Sequence, residues 1–266
     1  MKNRLHLLAL ALGAGLLGSA CTKKPQDAPA PTAEIPVGPS ITGLVQPADA
    51  VLGVSLVDDN TYQPLGTAVP DGKGAYRFDS VPAGTYSLYF TTRHGYVPPR
   101  QQAVTVVAGK TTGVPLATAV QSTAAFTADG SVYRPSLIDL SIGFDGKTLP
   151  APSCFSVLLS DDNYYAPTPA AHTYRLYLTM PYAVQVGTYP LNAASTYAIF
   201  EDTKSGVFDS RLKLAGLPSG GTLTITAVEN TTPFPRAVSG TFSFTGTSPT
   251  LGTQKTFSGT FANAYF

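Results

Sequence analysis

The sequence predicts an all-β protein, with two β-sandwich-like domains in tandem after a signal peptide and a proline-rich linker. Glycine and proline number 25 and 23 among the 266 residues, whereas charged residues make up only 12%. Short segments alternate apolar and polar residues at a period of two, and no helical period of useful length accompanies them. Evenly spaced short strands separated by glycine and proline turns are typical of sandwiches.

Residues 1–20 are predicted to be a lipoprotein signal peptide. Lys2 and Arg4 precede an apolar run, Leu5–Leu17, which is too short to span a bilayer as a helix. The sequence LGSAC, which ends at Cys21, resembles the lipobox of bacterial lipoproteins. The resemblance implies that Cys21 carries acyl chains and anchors the protein to a membrane of the cell envelope, and we expect the outer membrane.

Two alternatives stay open at this end of the chain. A plain secretory signal cleaved near Ala20 would leave no anchor, and the side of the membrane, periplasm or cell surface, is undecided. Residues 21–39 are rich in proline and alanine and are predicted to form an extended tether. If Cys21 is acylated, Cys154 has no disulfide partner, and we expect it to pack as a small apolar residue.

The charge balance argues against a nucleic-acid partner. The whole chain has a formal net charge of +1, and removal of Lys2 and Arg4 leaves 15 basic residues against 16 acidic ones. Binding to nucleic acid needs a basic patch, which this sequence lacks.

Residues 40–119 are predicted to form the first sandwich. Its strand candidates lie about ten residues apart: Ile41–Val45, Val51–Val57, Ala75–Phe78, Thr85–Thr92, Ala103–Val107 and Gly113–Ala117. The segment Asp71–Phe90 reads as turn, strand, turn and strand. Alternation predicts which side chains face the core: Leu52, Val54 and Leu56 in one strand, and Tyr86, Leu88 and Phe90 in another.

This first sandwich resembles the carboxypeptidase regulatory-like domain, a transthyretin-like β-sandwich. The resemblance rests on ITGLV at 41–45, DGKGAYRF at 71–78 and VPAGTYSL at 81–88, and it covers nearly all of residues 40–118. In metallocarboxypeptidases such a domain lies beside a zinc enzyme and is not itself catalytic. The resemblance therefore implies a non-catalytic module.

Residues 120–266 are predicted to form a second antiparallel β domain. Several segments alternate clearly: Tyr174, Leu176 and Leu178; Leu223, Ile225 and Ala227; Phe242 and Phe244; Phe257, Gly259 and Phe261. The order of its motifs, from FTADG at 126–130 to FSGTF at 257–261, resembles an uncharacterised lipoprotein family of Bacteroidota-type bacteria, with Tyr133 in place of the family's tryptophan. That family implies no activity.

We expect no enzyme, no cofactor and no metal centre. Outside the signal peptide the histidines are His94 and His172, and no cysteine or carboxylate stands at ligand spacing from either. No nucleophile elbow, phosphate-binding loop or dinucleotide fingerprint is present. Two acidic loops, 58–60 and 161–163, fit either a Ca²⁺ ligand set or a solvated turn, and the sequence leaves this open.

The loop at 161–172, DDNYYAPTPAAH, holds the candidate ligand-binding residues. Tyr164 and Tyr165 could stack on a sugar ring or a peptide, with Asp161 and Asp162 beside them, or they could simply pack against the sheet. The sequence thus predicts a non-enzymatic cell-envelope lipoprotein that binds or scaffolds a protein or glycan partner. The alternative is an accessory glycan-binding protein of a polymer-uptake system.

Overall fold

The computed structural model of the chain describes residues 38–143, 154–161, 173–230 and 235–265. Cys21, the tether up to residue 37, Asp162, Tyr164 and Tyr165 lie outside these ranges. The all-β prediction is confirmed, because the regular elements of the described ranges are all strands. Within these ranges no helix is long and apolar enough to cross a membrane.

Ten strands build the first sandwich: β1 (Ser40–Gln46), β2 (Val51–Asp58), β3 (Pro64–Ala68), β4 (Ala75–Phe78), β5 (Gly84–Thr92), β6 (Tyr96–Val97), β7 (Gln102–Val106), β8 (Thr111–Gly113), β9 (Ala117–Thr118) and β10 (Val120–Gln121). One sheet has the order β3-β2-β5-β7. The other has the order β4-β1-β8, and β9 also pairs with β1 in parallel. Ile41, Val54 and Leu88 are fully buried between the sheets. The predicted alternation of β5 is confirmed, because Tyr86 and Phe90 join this core.

The turn at Asp71 depends on a glycine. The Asp71 Oδ1 atom accepts hydrogen bonds from the backbone N–H groups of Lys73 and Ala75, at 2.8 and 2.9 Å. Gly74 has a φ of +84°, and a Cβ there would overlap the carbonyl oxygen of Val45. Only glycine can adopt this positive φ and also leave the space beside the Val45 carbonyl empty, so any other residue here would be strained.

Eleven strands build the second sandwich: β11 (Thr123–Ala128), β12 (Ser131–Tyr133), β13 (Leu137–Gly143), β14 (Cys154–Ser160), β15 (Tyr174–Pro181), β16 (Gly187–Pro190), β17 (Tyr197–Asp202), β18 (Gly206–Asp209), β19 (Gly220–Asn230), β20 (Pro235–Ser248) and β21 (Thr253–Tyr265). They form one sheet that closes on itself, because β20 also pairs with β21, and we call its two halves layers: β12-β11-β21-β20-β19-β16 and β13-β14-β15-β17-β18. Single pairings join the layers at two corners, Asp139 with Tyr265 and Asp209 with Thr247.

An aromatic cluster fills the second core. Phe126 packs between the layers, and its ring stacks on that of Tyr133 with centroids 4.8 Å apart. Phe126 also contacts the ring of Phe200 edge-on, with centroids 6.1 Å apart. Directly across the ladder from Phe126 lies Gly259, whose missing side chain leaves the space that the phenylalanine occupies. The predicted inward positions of β21 are therefore confirmed, and Tyr133 contributes to the core.

Two predicted inward residues point outward instead, and a β-bulge explains each. Leu52 was predicted to share a face with Val54, but it is 50% exposed because the register of β2 against β5 shifts there. Ala227 was predicted to share a face with Ile225, but it is exposed because β19 shifts against β20 at the preceding residue. A bulge inserts one residue and so reverses the faces that follow.

The two sandwiches contact one another along the chain that joins them. One hydrophobic core ends at Ala119 and the other begins at Phe126. Between them β10 pairs with β6, and the Ser122 hydroxyl donates to the carbonyl of Asn263 at 2.6 Å. The Asn263 side chain in turn donates to the carbonyl of Gln121 at 3.0 Å. These bonds fix the junction through backbone groups.

Candidate functional site

Asp161 is the one predicted ligand-binding residue within the described ranges, and its carboxylate braces the base of its own loop. It accepts hydrogen bonds from the backbone N–H of Thr173 at 2.9 Å, from that of Tyr174 at 3.2 Å, and from the Thr173 hydroxyl. Burial opposes ionisation, but these hydrogen bonds outweigh it and lower the pKa of Asp161. The ligand role of Asp161, Asp162, Tyr164 and Tyr165 stays a prediction.

The other acidic loop has the geometry of a solvated turn. Asp58 Oδ1 accepts the backbone N–H groups of Asn60 and Thr61, at 2.8 and 2.9 Å. The hydrogen bonds from Thr61 and Asn60 lower the pKa of Asp58. Across the part of the chain that the structure describes, no group of three or more histidine, cysteine, aspartate or glutamate side chains is placed to hold a metal ion.

An apolar groove of about 750 Å³ runs over the outer face of the β4-β1-β8 sheet. Leu44, Val69 and Leu116, which line it, are 50%, 76% and 49% exposed. A second depression of about 410 Å³ adjoins it at Val69 and Asp71 and includes the outward-turned Leu52. We call the larger depression the apolar groove. Solvent-exposed apolar side chains grouped in one concave surface are typical of interaction sites.

Sequence reasoning missed this groove. Ile41 and Val45 lie on one face of β1 and are buried, whereas Leu44 lies on the opposite face. The alternation of β1 therefore indicates that Leu44 points outward. Val69 and Leu116 lie outside the strands, where periodicity gives no direction.

The outer face of the β3-β2-β5-β7 sheet has a different character, and we call it the tyrosine face. Tyr89 is 45% exposed on β5 and lies opposite Ser55 of β2. Beside it, the Gln101 side-chain amide donates to the Ser87 hydroxyl at 2.7 Å, and that hydroxyl donates to Asp59 Oδ1 at 2.6 Å. The tyrosine face thus combines one exposed ring with an oriented polar chain.

The outer face of the second sandwich is rich in hydroxyl groups. The strand register aligns them in two rows across the sheet: Thr127, Ser258, Ser243 and Thr222 in one; Thr260, Thr241, Thr224 and Thr188 in the other. Within the rows, Thr127 bonds to Ser258 and Thr188 to Thr224, each at 3.1 Å. These eight residues carry neither charge nor an aromatic ring, and the exposed side chain of Val132, which pairs with Thr127, adds an apolar group to the same face.

Comparison with known proteins identifies one family model in the second half of the chain. Residues 156–264 match a domain of unknown function, DUF6252. This match fits the expectation of an uncharacterised Bacteroidota-type family there, while the carboxypeptidase regulatory-like resemblance of residues 40–118 stays a prediction. Among curated proteins, none matches this chain.

Two solved structures of the DUF3823 family align with most of the chain. The protein from Parabacteroides merdae aligns over 85% of this chain and 98% of its own, at 11% identity and a TM-score of 0.23. The protein from Bacteroides ovatus aligns over 82% of this chain and 95% of its own, at 12% identity and a TM-score of 0.25.

Proposed function

We propose that this protein is a non-enzymatic binding module of the cell envelope, held to a membrane by an acylated Cys21, and that its apolar groove binds a protein partner. The observation that carries the proposal is the exposure of Leu44, Val69 and Leu116 within one concave surface. Burying such side chains against a partner is favourable because it removes apolar area from water.

The charged residues at the rim of the groove favour an uncharged apolar segment as the occupant. Arg77 forms an ion pair with Asp79, and Asp71 accepts the N–H groups of its own turn. Each rim charge is therefore compensated within the protein, and an ionic partner would gain little there. The partner is an uncharged, apolar peptide segment of another envelope protein.

Within the described residues, the acidic side chains that suggested ligand chemistry in the sequence offer no general acid. Asp58 and Asp161 use their oxygens to accept backbone N–H groups in their own loops. The corresponding hydrogen bonds lower their pKa values, whereas a general acid needs a raised pKa near the working pH.

A random dodecapeptide library displayed on phage tests the groove, with the detergent-solubilised full chain as the target. We expect enrichment of apolar, uncharged peptides whose affinity falls about tenfold or more for Leu44→Glu and Leu116→Glu. We expect their affinity to hold between about 0.1 M and about 1 M salt, because no ion pair is formed. Tyr89→Ala, on the other sheet, is the matched control and should bind as the wild type does.

The groove proposal is wrong if no peptide is enriched, or if enriched peptides bind both glutamate variants normally. The anchor is tested separately by mass spectrometry of the mature N-terminus. An unmodified Cys21 would contradict the anchor without affecting the groove.

A further inference from the structure

The polar chain on the tyrosine face is built around a buried hydroxyl. Ser87 is only 4% exposed, although it lies on the outer side of its sheet. Its oxygen accepts from Gln101 and its proton goes to Asp59, so both neighbours are held in one orientation. Of the remaining side-chain atoms, Asp59 Oδ2 and Gln101 Oε1 make no hydrogen bond to any residue that the structure describes. Two acceptor oxygens are thus positioned at the surface.

Tyr89 places an aromatic ring beside these oxygens. It lies two residues from Ser87 on β5, so both side chains are on the same face and about 7 Å apart along the strand. Its neighbour across the ladder on β2 is Ser55, a small residue whose hydroxyl is 3.0 Å from that of Thr67. No large side chain on that neighbouring strand position covers the ring.

The loop that carries Asp59 also projects a second tyrosine into solvent. Tyr62 is 80% exposed and has a φ of +58°. This left-handed backbone is unfavourable for an aromatic residue, and such strain concentrates at functional positions. The hydrogen bonds that Asp58 accepts from Asn60 and Thr61 hold the loop in this form.

We propose that the tyrosine face is a binding subsite for an uncharged glycan. The Tyr89 ring stacks against the C–H face of a sugar, and sugar hydroxyls donate to Asp59 and Gln101. The polar chain contributes one carboxylate and no cation, so it repels anionic polymers and suits a neutral one. This subsite is separate from the apolar groove, which lies on the other sheet of the same sandwich.

Binding of neutral polysaccharides to the immobilised full chain tests the proposal, in a detergent without a sugar headgroup. The probes are galactomannan, xyloglucan and soluble starch, with alginate as the anionic comparison. We expect at least one neutral polymer to bind. We expect its affinity to fall about tenfold or more for Tyr89→Ala and for Asp59→Asn, and to be retained by Tyr89→Phe, which keeps the ring.

Leu116→Ala in the apolar groove is the matched control and should leave glycan binding unchanged. A thermal unfolding scan of each variant separates loss of binding from loss of folding, and Asp59→Asn keeps the test decisive if Tyr89→Ala is unstable, because normal glycan binding by Asp59→Asn would also overturn the proposal. The proposal is overturned if no neutral polymer binds, if Tyr89→Ala binds as the wild type does, or if alginate binds more tightly. Because the residues that carry peptide binding and glycan binding lie on different sheets, failure of one proposal leaves the other standing.

Discussion

Two tyrosines in equivalent Gly-Thr-Tyr segments make the same local contact. The Tyr86 hydroxyl donates to the carbonyl of Pro82 at 2.9 Å, and the Tyr189 hydroxyl donates to the carbonyl of Gln185 at 2.8 Å. Each bond spans four residues and closes the turn that enters the strand, as the tyrosine corner does in other sandwiches. The repeated tripeptide therefore reflects shared turn geometry in the two sandwiches.

Replacing tyrosine by phenylalanine should change the free energy of unfolding in opposite directions at Tyr76 and at Tyr86. Both side chains are buried in the first core, but the Tyr76 hydroxyl has no hydrogen-bond partner among the described residues, and burial raises its pKa to about 12. Tyr86→Phe removes a made hydrogen bond and should lower the free energy of unfolding by about 1 kcal/mol. Tyr76→Phe removes an unsatisfied group and should raise it by about 1 kcal/mol.

Denaturant unfolding of the two phenylalanine variants beside the wild type measures both effects. If both variants lowered the free energy of unfolding, the Tyr76 hydroxyl would have a hydrogen-bond partner, such as an ordered water.

At the scale of the strands, periodicity predicted the core where the register is regular. Tyr86, Leu88 and Phe90 face inward on β5 as their alternation indicates. Leu52 and Ala227 do not, because a bulge depends on the partner strand and has no local signature in these sequences. Alternation of apolar residues therefore locates a strand more reliably than it shows which side of the sheet each residue faces.

The candidate sites were harder to predict for a related reason. The Asp59–Ser87 and Ser87–Gln101 bonds join residues 28 and 14 positions apart, so no short motif contains them. The sequence directed attention to Tyr164 and Tyr165 because they are adjacent. Tyr89 lies between Leu88 and Phe90 on β5, so the alternation indicates an outward position but gives no sign of a ligand.

A substitution at Gly259 should disturb the pairing of two strands, because this glycine sets the distance between β11 and β21. A Cβ at Gly259 would lie 2.6 Å from the carbonyl oxygen of Ala125 and would overlap Phe126. Gly259→Ala should lower the free energy of unfolding by about 2 kcal/mol or more, because the neighbouring strand must move.

Gly66→Ala on β3 is the matched control, since nothing lies within 4 Å of a Cβ there, and it should stay within about 0.5 kcal/mol of wild type. Thermal unfolding followed by circular dichroism compares the two variants. Equal melting temperatures would contradict the steric role of Gly259.

At the scale of the whole molecule, Glu229 joins the two sandwiches. Its Oε1 atom accepts from Arg100 of the first sandwich at 2.9 Å and from Arg236 of the second at 2.6 Å. Burial alone would raise the pKa of Glu229, but the hydrogen bonds and charges of the two arginines outweigh it and hold the pKa below the ordinary 4.5. The carboxylate is therefore more acidic in the folded protein than in the unfolded chain.

The sign of the pH dependence follows from this difference. Stability from Glu229 is fully present above its unfolded pKa and is lost as the pH falls through the lower, folded value. Glu229→Gln should be less stable than wild type at about pH 7, and the difference should shrink as the pH falls to about 3. Urea unfolding at several pH values measures this, with Arg100→Ala isolating the contact between sandwiches. A difference that does not change with pH would contradict the assignment.

The position of β21 imposes an order on biosynthesis. This strand pairs with β11, β13 and β20, so three other strands depend on residues that the ribosome makes after all of them. The first sandwich pairs within residues 40–121 and can close before the second half of the chain is available. Until Thr253–Tyr265 emerges, β11, β13 and β20 each have one strand edge without its final partner, and open strand edges invite aggregation. Any chaperone that attends this chain is therefore needed chiefly by its second half.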